Sequence, residues 1–278
     1  MSDSPLTNPF QEEGLTSDFP LINPSPEEGL MSDFLFTYPF PEEEVTAFST
    51  MRYGGVSQGL YASMNINPFC GDRPEDVAEN RRRLAALLGI DPASFVIPHQ
   101  NHGTETVFVT EPVELEGVDA LVTQETELCI CVSTADCMPI LIYDPVHRAV
   151  AAVHSGWRGT VKRIVEHTLR DMKDRLGTRP EDVQACLGPA IGLEAFEVGD
   201  EVYEAFQNAG FPMDFIARRR DKWHIDLERA NWWLLEEAGV RNPKLCGLCT
   251  YSMPHTFFSA RRDGRRSGRI LNGIILRK

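Results

Sequence analysis

A cysteine and a histidine stand at matched distances from one turn, and this pairing constrains the chain more than any other feature. Cys137 and His154 bracket two apolar runs, Met138–Tyr143 and Ala149–Val153, joined around Asp144-Pro145. Proline suits the second position of a turn, and an aspartate before it can accept a hydrogen bond from the backbone two residues on. With the hairpin centred between Pro145 and Val146, Cys137 and His154 fall directly opposite each other. Opposed residues point to one face with Cβ atoms roughly 4.5–5.5 Å apart. Such a gap accepts one tetrahedral metal between a thiolate at about 2.3 Å and an imidazole at about 2.0–2.1 Å. The sequence therefore proposes half of a metal site.

The flanks extend the proposal. After His154 come Ser155-Gly156-Trp157-Arg158-Gly159, a glycine-rich turn opening a helix, where free backbone N–H groups and Arg158 would favour an anion. A third ligand can come from His99-Gln100-Asn101-His102-Gly103, through either histidine. Gly103 permits close backbone approach beside His102. Two histidines and one cysteine leave a fourth zinc position open, the pattern of a catalytic site. Asp136, next to Cys137, is the candidate acid/base. Two further signals are weaker. Cys246 and Cys249 have redox or half-knuckle spacing without a second pair. The run Arg261-Arg262-Asp263-Gly264-Arg265-Arg266 reads as a basic loop near a substrate phosphate, or as a solvated face.

Charge is segregated. The net charge is −14, yet residues 1–50 contain ten acidic side chains and no Lys or Arg, which leaves −4 for the remainder. Residues 261–278 carry seven basic side chains and one acid, so a basic end could face an anionic small molecule. An acidic whole argues against nucleic acid as the main partner. No apolar run approaches the ~20 residues of a membrane span. The absence of a basic n-region, with seven unevenly spread cysteines, predicts a reducing, cytoplasmic setting.

Residues 1–44 form an acidic leader with a 15-residue repeat: Leu6–Phe19 recurs as Leu21–Phe34, and Phe36–Val45 is a degraded third copy. We expect only the third copy to join the fold, the others being a partly disordered tail. From 45 to 278 helix and strand signals alternate without a linker. Helices are expected at Pro74–Leu88, Trp157–Leu176, Asp200–Asn208 and Asp226–Ala238, the last two capped by their own aspartates. Strands are expected at Val45–Ser49, Phe95–Pro98, Thr106–Val109, Leu128–Ser133, Val183–Leu187, Thr256–Ser259 and Arg269–Leu276, beside the hairpin. The expectation is an α+β fold, mixed β-sheets flanked by helices in a layered single domain.

Gln100-Asn101-His102-Gly103, Ala135-Asp136-Cys137-Met138-Pro139-Ile140 and His154-Ser155-Gly156-Trp157-Arg158-Gly159 resemble the three signature motifs of the laccase-domain family. Its members go under the names multicopper polyphenol oxidoreductase, purine nucleoside phosphorylase and peptidoglycan editing factor. Ser49–Ser57, Ser63-Met64-Asn65, Gly188–Gly192, Asp226-Leu227 with Asn231, Cys249-Thr250 and Phe257–Asp263 are similar too, so the resemblance covers roughly residues 45–278. Departures are an inserted Met51, Asn101 for an aliphatic residue, Ser155 for alanine, and Ala195-Phe196 for a Cys-Tyr pair. His99 lies outside the family motif, so the resemblance favours His102.

The resemblance implies zinc held by His102, Cys137 and His154. It implies phosphorolysis of adenosine, inosine and related purine nucleosides such as methylthioadenosine, together with adenosine deamination. Purine nucleosides and phosphate would be the partners, with Arg52, Asn65, Gln100, Gly156 and Arg158 binding them and Cys137 and Asp136 serving catalysis. Zinc would supply the nucleophile for deamination by lowering the pKa of water. The alternatives are a copper-dependent polyphenol oxidase, since blue-copper sites also use two histidines and a cysteine, and a cysteine hydrolase of cell-wall peptides with Cys137 as nucleophile. Oligomeric state is left open.

Overall fold

A computed structural model describes residues 34–41 and 43–278. Residues 1–33, with the first repeat copy and all of the second but Phe34, lie outside the described residues.

The third copy enters the fold as β1 (Leu35–Thr37), antiparallel to β2 (Val45–Thr50) with Phe36 opposite Ser49. Helix α1 (Pro74–Leu88) begins on its proline and ends at Gly89, whose φ of 69° is the left-handed stop that glycine adopts readily. Strands β3 (Phe95–Val96), β4 (Thr106–Phe108) and β5 (Ala120–Thr123) are short. Strand β6 (Cys129–Thr134) leads into the hairpin of β7 (Met138–Asp144) and β8 (Ala149–Ser155).

The single helix expected over Trp157–Leu176 is two helices, α2 (Trp157–Val161) and α3 (Ile164–Leu176), separated at Arg163, which has φ 61°. No glycine or proline marks this break. The Arg163 guanidinium is held by Glu166 and lies over the rings of Phe211 and Trp233.

Beyond them come β9 (Gln184–Leu187), β10 (Glu197–Val198), α4 (Asp200–Asn208), α5 (Met213–Ile216), β11 (Ala217–Arg219) and β12 (Trp223–Ile225). The chain ends with α6 (Leu227–Glu237), β13 (Lys244–Leu245), α7 (Ala260–Asp263) and β14 (Ile270–Leu276). Asp226 caps α6 by accepting from Arg229 N, as expected, whereas α4 is capped by Gly199 and Asp200 is its first helical residue. Thr256–Ser259 is not a strand. Its backbone is used elsewhere: Arg52 N donates to Thr256 O at 2.8 Å, and Arg262 Nη2 donates to Phe257 O at 2.7 Å.

The strands form a five-stranded sheet ordered β1-β2-β14-β6-β3, a six-stranded sheet ordered β13-β9-β7-β8-β5-β4, and a three-stranded sheet ordered β10-β12-β11. Both large sheets mix parallel and antiparallel pairs. They stack face to face in one α+β domain. Because side chains alternate across a strand, Leu141 and Tyr143 of β7 meet Ile130, Val132 and Ile274 of the other sheet. Ile140 and Ile142 instead join Val165, Leu169 and Leu234 of the helices. The far face of the five-stranded sheet packs Phe48 and Leu271 against Leu84 and Leu88 of α1. Burial on both faces explains why the hairpin strands read as unbroken apolar runs.

The connections position the site. The chain passes from the five-stranded to the six-stranded sheet twice, between β3 and β4 and between β6 and β7. The first crossing carries His102 and the second carries Cys137.

Candidate active site

The hairpin forms with a different register from the one its turn predicts. Pro139, not Cys137, pairs with His154, and Met138 pairs with Ser155. The pairing is centred between Val146 and His147, because Asp144 accepts from both Val146 N (2.9 Å) and His147 N (3.1 Å) and so draws two further residues into the turn. The offset is two residues, which keeps Cys137 on the same face as His154; an offset of one would have turned it away. Cys137 lies just beyond the end of β7, level with Gly156. A Cβ on Gly156 would stand 2.8 Å from Cys137 Sγ and 3.0 Å from His102 Cδ2, so the absence of a side chain there leaves room for the cluster.

Donor atoms of His102, Cys137 and His154 lie within 4.8 Å of one another. Cys137 Sγ is 3.8 Å from His102 Nε2, close to the ~3.6 Å edge of a tetrahedron with zinc–sulfur and zinc–nitrogen distances of that kind. Asp119, which the sequence reading did not single out, orders both histidines. Its carboxylate meets His154 Nδ1 at 2.7 Å and accepts from the backbone N–H of His102 at 3.1 Å and of Gly103 at 2.7 Å. His154 is thereby left with Nε2 as its donor, the carboxylate–histidine arrangement that orients metal ligands. Donor chemistry, spacing and the open wall at Gly156 all fit a soft or borderline divalent metal such as zinc.

Without a metal, electrostatics favours a Cys137 thiolate beside a protonated His154, so the cysteine is held in its ligating form while His154 must give up a proton to ligate. Burial pushes the Cys137 thiol up, but the adjacent His154 and His102 outweigh it and hold it at about 6. Burial pushes His154 down, while Cys137 and Asp119 raise it to about 9. Burial also pushes Asp119 up, and His154 with the Gly103 and Asn101 amides brings it below the usual carboxylate range.

The cluster opens into a cleft of about 450 Å³. Gln100, Arg158, Arg265, Arg269, His99 and Phe69 are among its lining residues, and among the described residues no Asp or Glu lines it. Gln100 is fixed to the end of β6, accepting from Ser133 N at 2.7 Å and donating to Ser133 O at 3.1 Å. Ser133 Oγ, in the same cleft, is buried without a hydrogen-bond partner. Arg158 lies over its neighbour Trp157. Among the described residues neither Arg158 nor Arg265 has a carboxylate partner. Arg269 is committed to its own loop, donating to Ser267 O and Arg265 O.

Other sequence candidates lie elsewhere. Arg52 is outside this cleft; its guanidinium donates to Ala62 O and Pro254 O, approaches Asp263 at 3.6 Å and lies over Phe258. Asn65 is fully buried behind the cleft wall, donating to Asp72 and accepting from Arg269 N. Asp136, at φ 97°, makes the tight turn into Cys137. Its carboxylate is occupied by the Thr250 hydroxyl and the Arg261 N–H, each at 2.7 Å, so it positions the cysteine. Cys246 is in the core, and Cys249 accepts from Gly192 N at 3.2 Å.

A family model described as multi-copper polyphenol oxidoreductase laccase matches residues 46–277. The chain is 46% identical to a protein of Bacteroides thetaiotaomicron named purine nucleoside phosphorylase, across 84% of this chain and 92% of that one. It is 40% identical to adenosine deaminase RL5 from an unknown prokaryotic organism, across 83% of this chain and 93% of that one. The crystal structure of YlmD from Geobacillus stearothermophilus superposes with a TM-score of 0.81 at 33% identity, covering 84% of this chain and 93% of that one.

Proposed function

The chain belongs to the multi-copper polyphenol oxidoreductase laccase family, and within it we propose a zinc-dependent purine nucleoside phosphorylase that also deaminates adenosine. The observation that carries this reading is one cleft in which three side chains able to hold a metal lie beside the guanidinium groups of Arg158 and Arg265, with no carboxylate among the described residues that line it. A protein of net charge −14 that gathers Arg158, Arg265 and Arg269 on one cleft is suited to an anionic co-substrate. The names of the Bacteroides relative and of the RL5 protein support the two reactions.

Zinc, when bound by His102, Cys137 and His154, would supply Lewis acidity and make water a competent nucleophile near neutral pH. The chain's own residues do the rest. Arg158 and Arg265 hold phosphate by charge-assisted hydrogen bonds. Ser133 Oγ and the clamped Gln100 give the nucleoside fixed polar contacts. Asp119 holds His154 in one tautomer, and Asp136 holds the turn that presents Cys137. The reaction expected is inosine plus phosphate giving hypoxanthine and ribose 1-phosphate. Product analysis with metal-defined protein tests it: purine release at equal rates in phosphate-free buffer would overturn the phosphorylase reading.

A thiol hydrolase is the second reading, favoured by a Cys137 thiol held at about 6 beside His154, the pairing that activates a cysteine nucleophile. Alkylation of Cys137 with and without zinc separates the two, since a ligating thiolate is protected. Copper-dependent polyphenol oxidation finds less support, because the described residues offer a single His/Cys cluster of three ligands.

A further inference from the structure

Phosphorolysis leaves one requirement that the metal cluster and the arginines do not meet. When the bond from C1′ to N9 breaks, its electron pair goes to the purine, and an oxopurine anion departs poorly unless it is protonated. Asp136 is turned away from the cleft, and among the described residues no carboxylate lines it.

We propose that His99 is the proton donor to the departing purine, an inference that rests on the phosphorylase reading above. His99 lines the same cleft as the metal cluster. Its Nδ1 meets Glu116 Oε2 at 2.7 Å, which leaves Nε2 as the free nitrogen. The ring is stacked on Phe69, with centroids 4.6 Å apart and planes 18° from parallel. Its backbone is held on both sides, His99 N donating to Leu115 O and Gly117 N to His99 O, each at 2.8 Å. Glu116 and His99 thus form a carboxylate–imidazole pair with a fixed ring plane, the arrangement that orients a general acid. Histidine is the side chain whose ordinary charge change falls near neutral pH. With half its side chain exposed, His99 can regain its proton from solvent.

The step balances. A phosphate oxygen bonds to C1′ as the bond to N9 breaks, the electron pair passes to the purine, and the Nε2 proton moves to N7. Neutral purine and ribose 1-phosphate leave, and the imidazole is reprotonated from water while Glu116 accepts the Nδ1–H throughout.

The discriminating substrate is 7-methylinosine, whose base is already cationic and needs no proton at N7. In the zinc-loaded enzyme His99→Gln should lower inosine phosphorolysis by about 100-fold or more while changing 7-methylinosine phosphorolysis by less than about threefold, because only the first draws on general acid catalysis. Equal losses on both substrates would mark His99 as structural, and unchanged inosine turnover would remove it from the reaction; either overturns the proposal. Should His99→Gln fail to fold, Glu116→Gln decides by the same ratio, with a loss of about tenfold expected on inosine alone. If wild-type protein leaves inosine intact in phosphate, the phosphorylase reading falls and this inference with it. If wild type turns over inosine but the ratio is unchanged in the variants, only the inference falls.

Discussion

Asp119 and His154 are joined twice: the His154 N–H donates to the Asp119 carbonyl at 2.8 Å, and His154 Nδ1 meets the Asp119 carboxylate at 2.7 Å. The first contact continues the pairing of β5 with β8, and the second fixes which nitrogen is left for a metal. Asp119→Asn should therefore keep the fold and weaken zinc binding by about 10- to 100-fold, the usual cost of losing such a partner. Zinc titration against a competing chelator, with circular dichroism as the folding control, measures both.

Gly156 gives a steric test. Its missing Cβ would stand 2.8 Å from Cys137 Sγ. Gly156→Ala should lower zinc affinity by about tenfold or more, the scale on which misplaced ligands lose metal. Secondary structure should be unchanged. Full zinc occupancy by elemental analysis at limiting metal would show that the cluster lies elsewhere.

The arginines divide by their partners. Arg158→Ala and Arg265→Ala each remove an unpaired cation from the cleft and should raise the KM for phosphate about tenfold, since a hydrogen bond to a charged group contributes about 1.5–3 kcal/mol. Arg52→Ala removes contacts to Ala62 O and Pro254 O instead. It should lower the melting temperature and leave the phosphate KM near wild type. A large KM effect at Arg52 alone would reverse the assignment.

Glu228 carries a pH dependence of stability. Burial, with Asp226 nearby, raises its carboxyl from the ordinary 4.5 to about 7. The unfolded chain therefore loses this proton first as pH rises. Its contribution is fully present below about 4.5, falls through the interval up to about 7, and is constant above it. Glu228→Gln should flatten that decline, read as urea midpoints of zinc-saturated protein at pH 5 and pH 8.

The layered fold was legible because its signals are local. Apolar periodicity, Pro74 and Gly89 gave α1, and the long apolar runs gave β6, β7 and β8. The break at Arg163 has no glycine or proline to announce it, and two of the contacts that hold the Arg163 guanidinium, the rings of Phe211 and Trp233, come from distant parts of the chain. The cysteine–histidine pair was found from a hairpin whose register was displaced by two residues, and it survived because faces repeat every second residue. A metal-ligating histidine commonly donates its other ring N–H to a carboxylate, a backbone carbonyl or water. That makes an aspartate such as Asp119 worth seeking, but Asp119 immediately precedes β5 (Ala120–Thr123), whose four residues are too few to announce a strand. Arg52 has the chemistry of a phosphate ligand, but sequence does not reveal that Ala62, Pro254 and Asp263 already occupy it.

Two of the three proposed ligands lie on the passages where the chain leaves one large sheet for the other, and His154 belongs to the second sheet. An ion bound there would act as a rivet through the seam of the sandwich. Withdrawing it should loosen that seam before either sheet frays, so amide exchange in the metal-free protein should quicken first around residues 99–104 and 134–138. The same ion that serves the chemistry would thus set how far the two halves of the sandwich can shear.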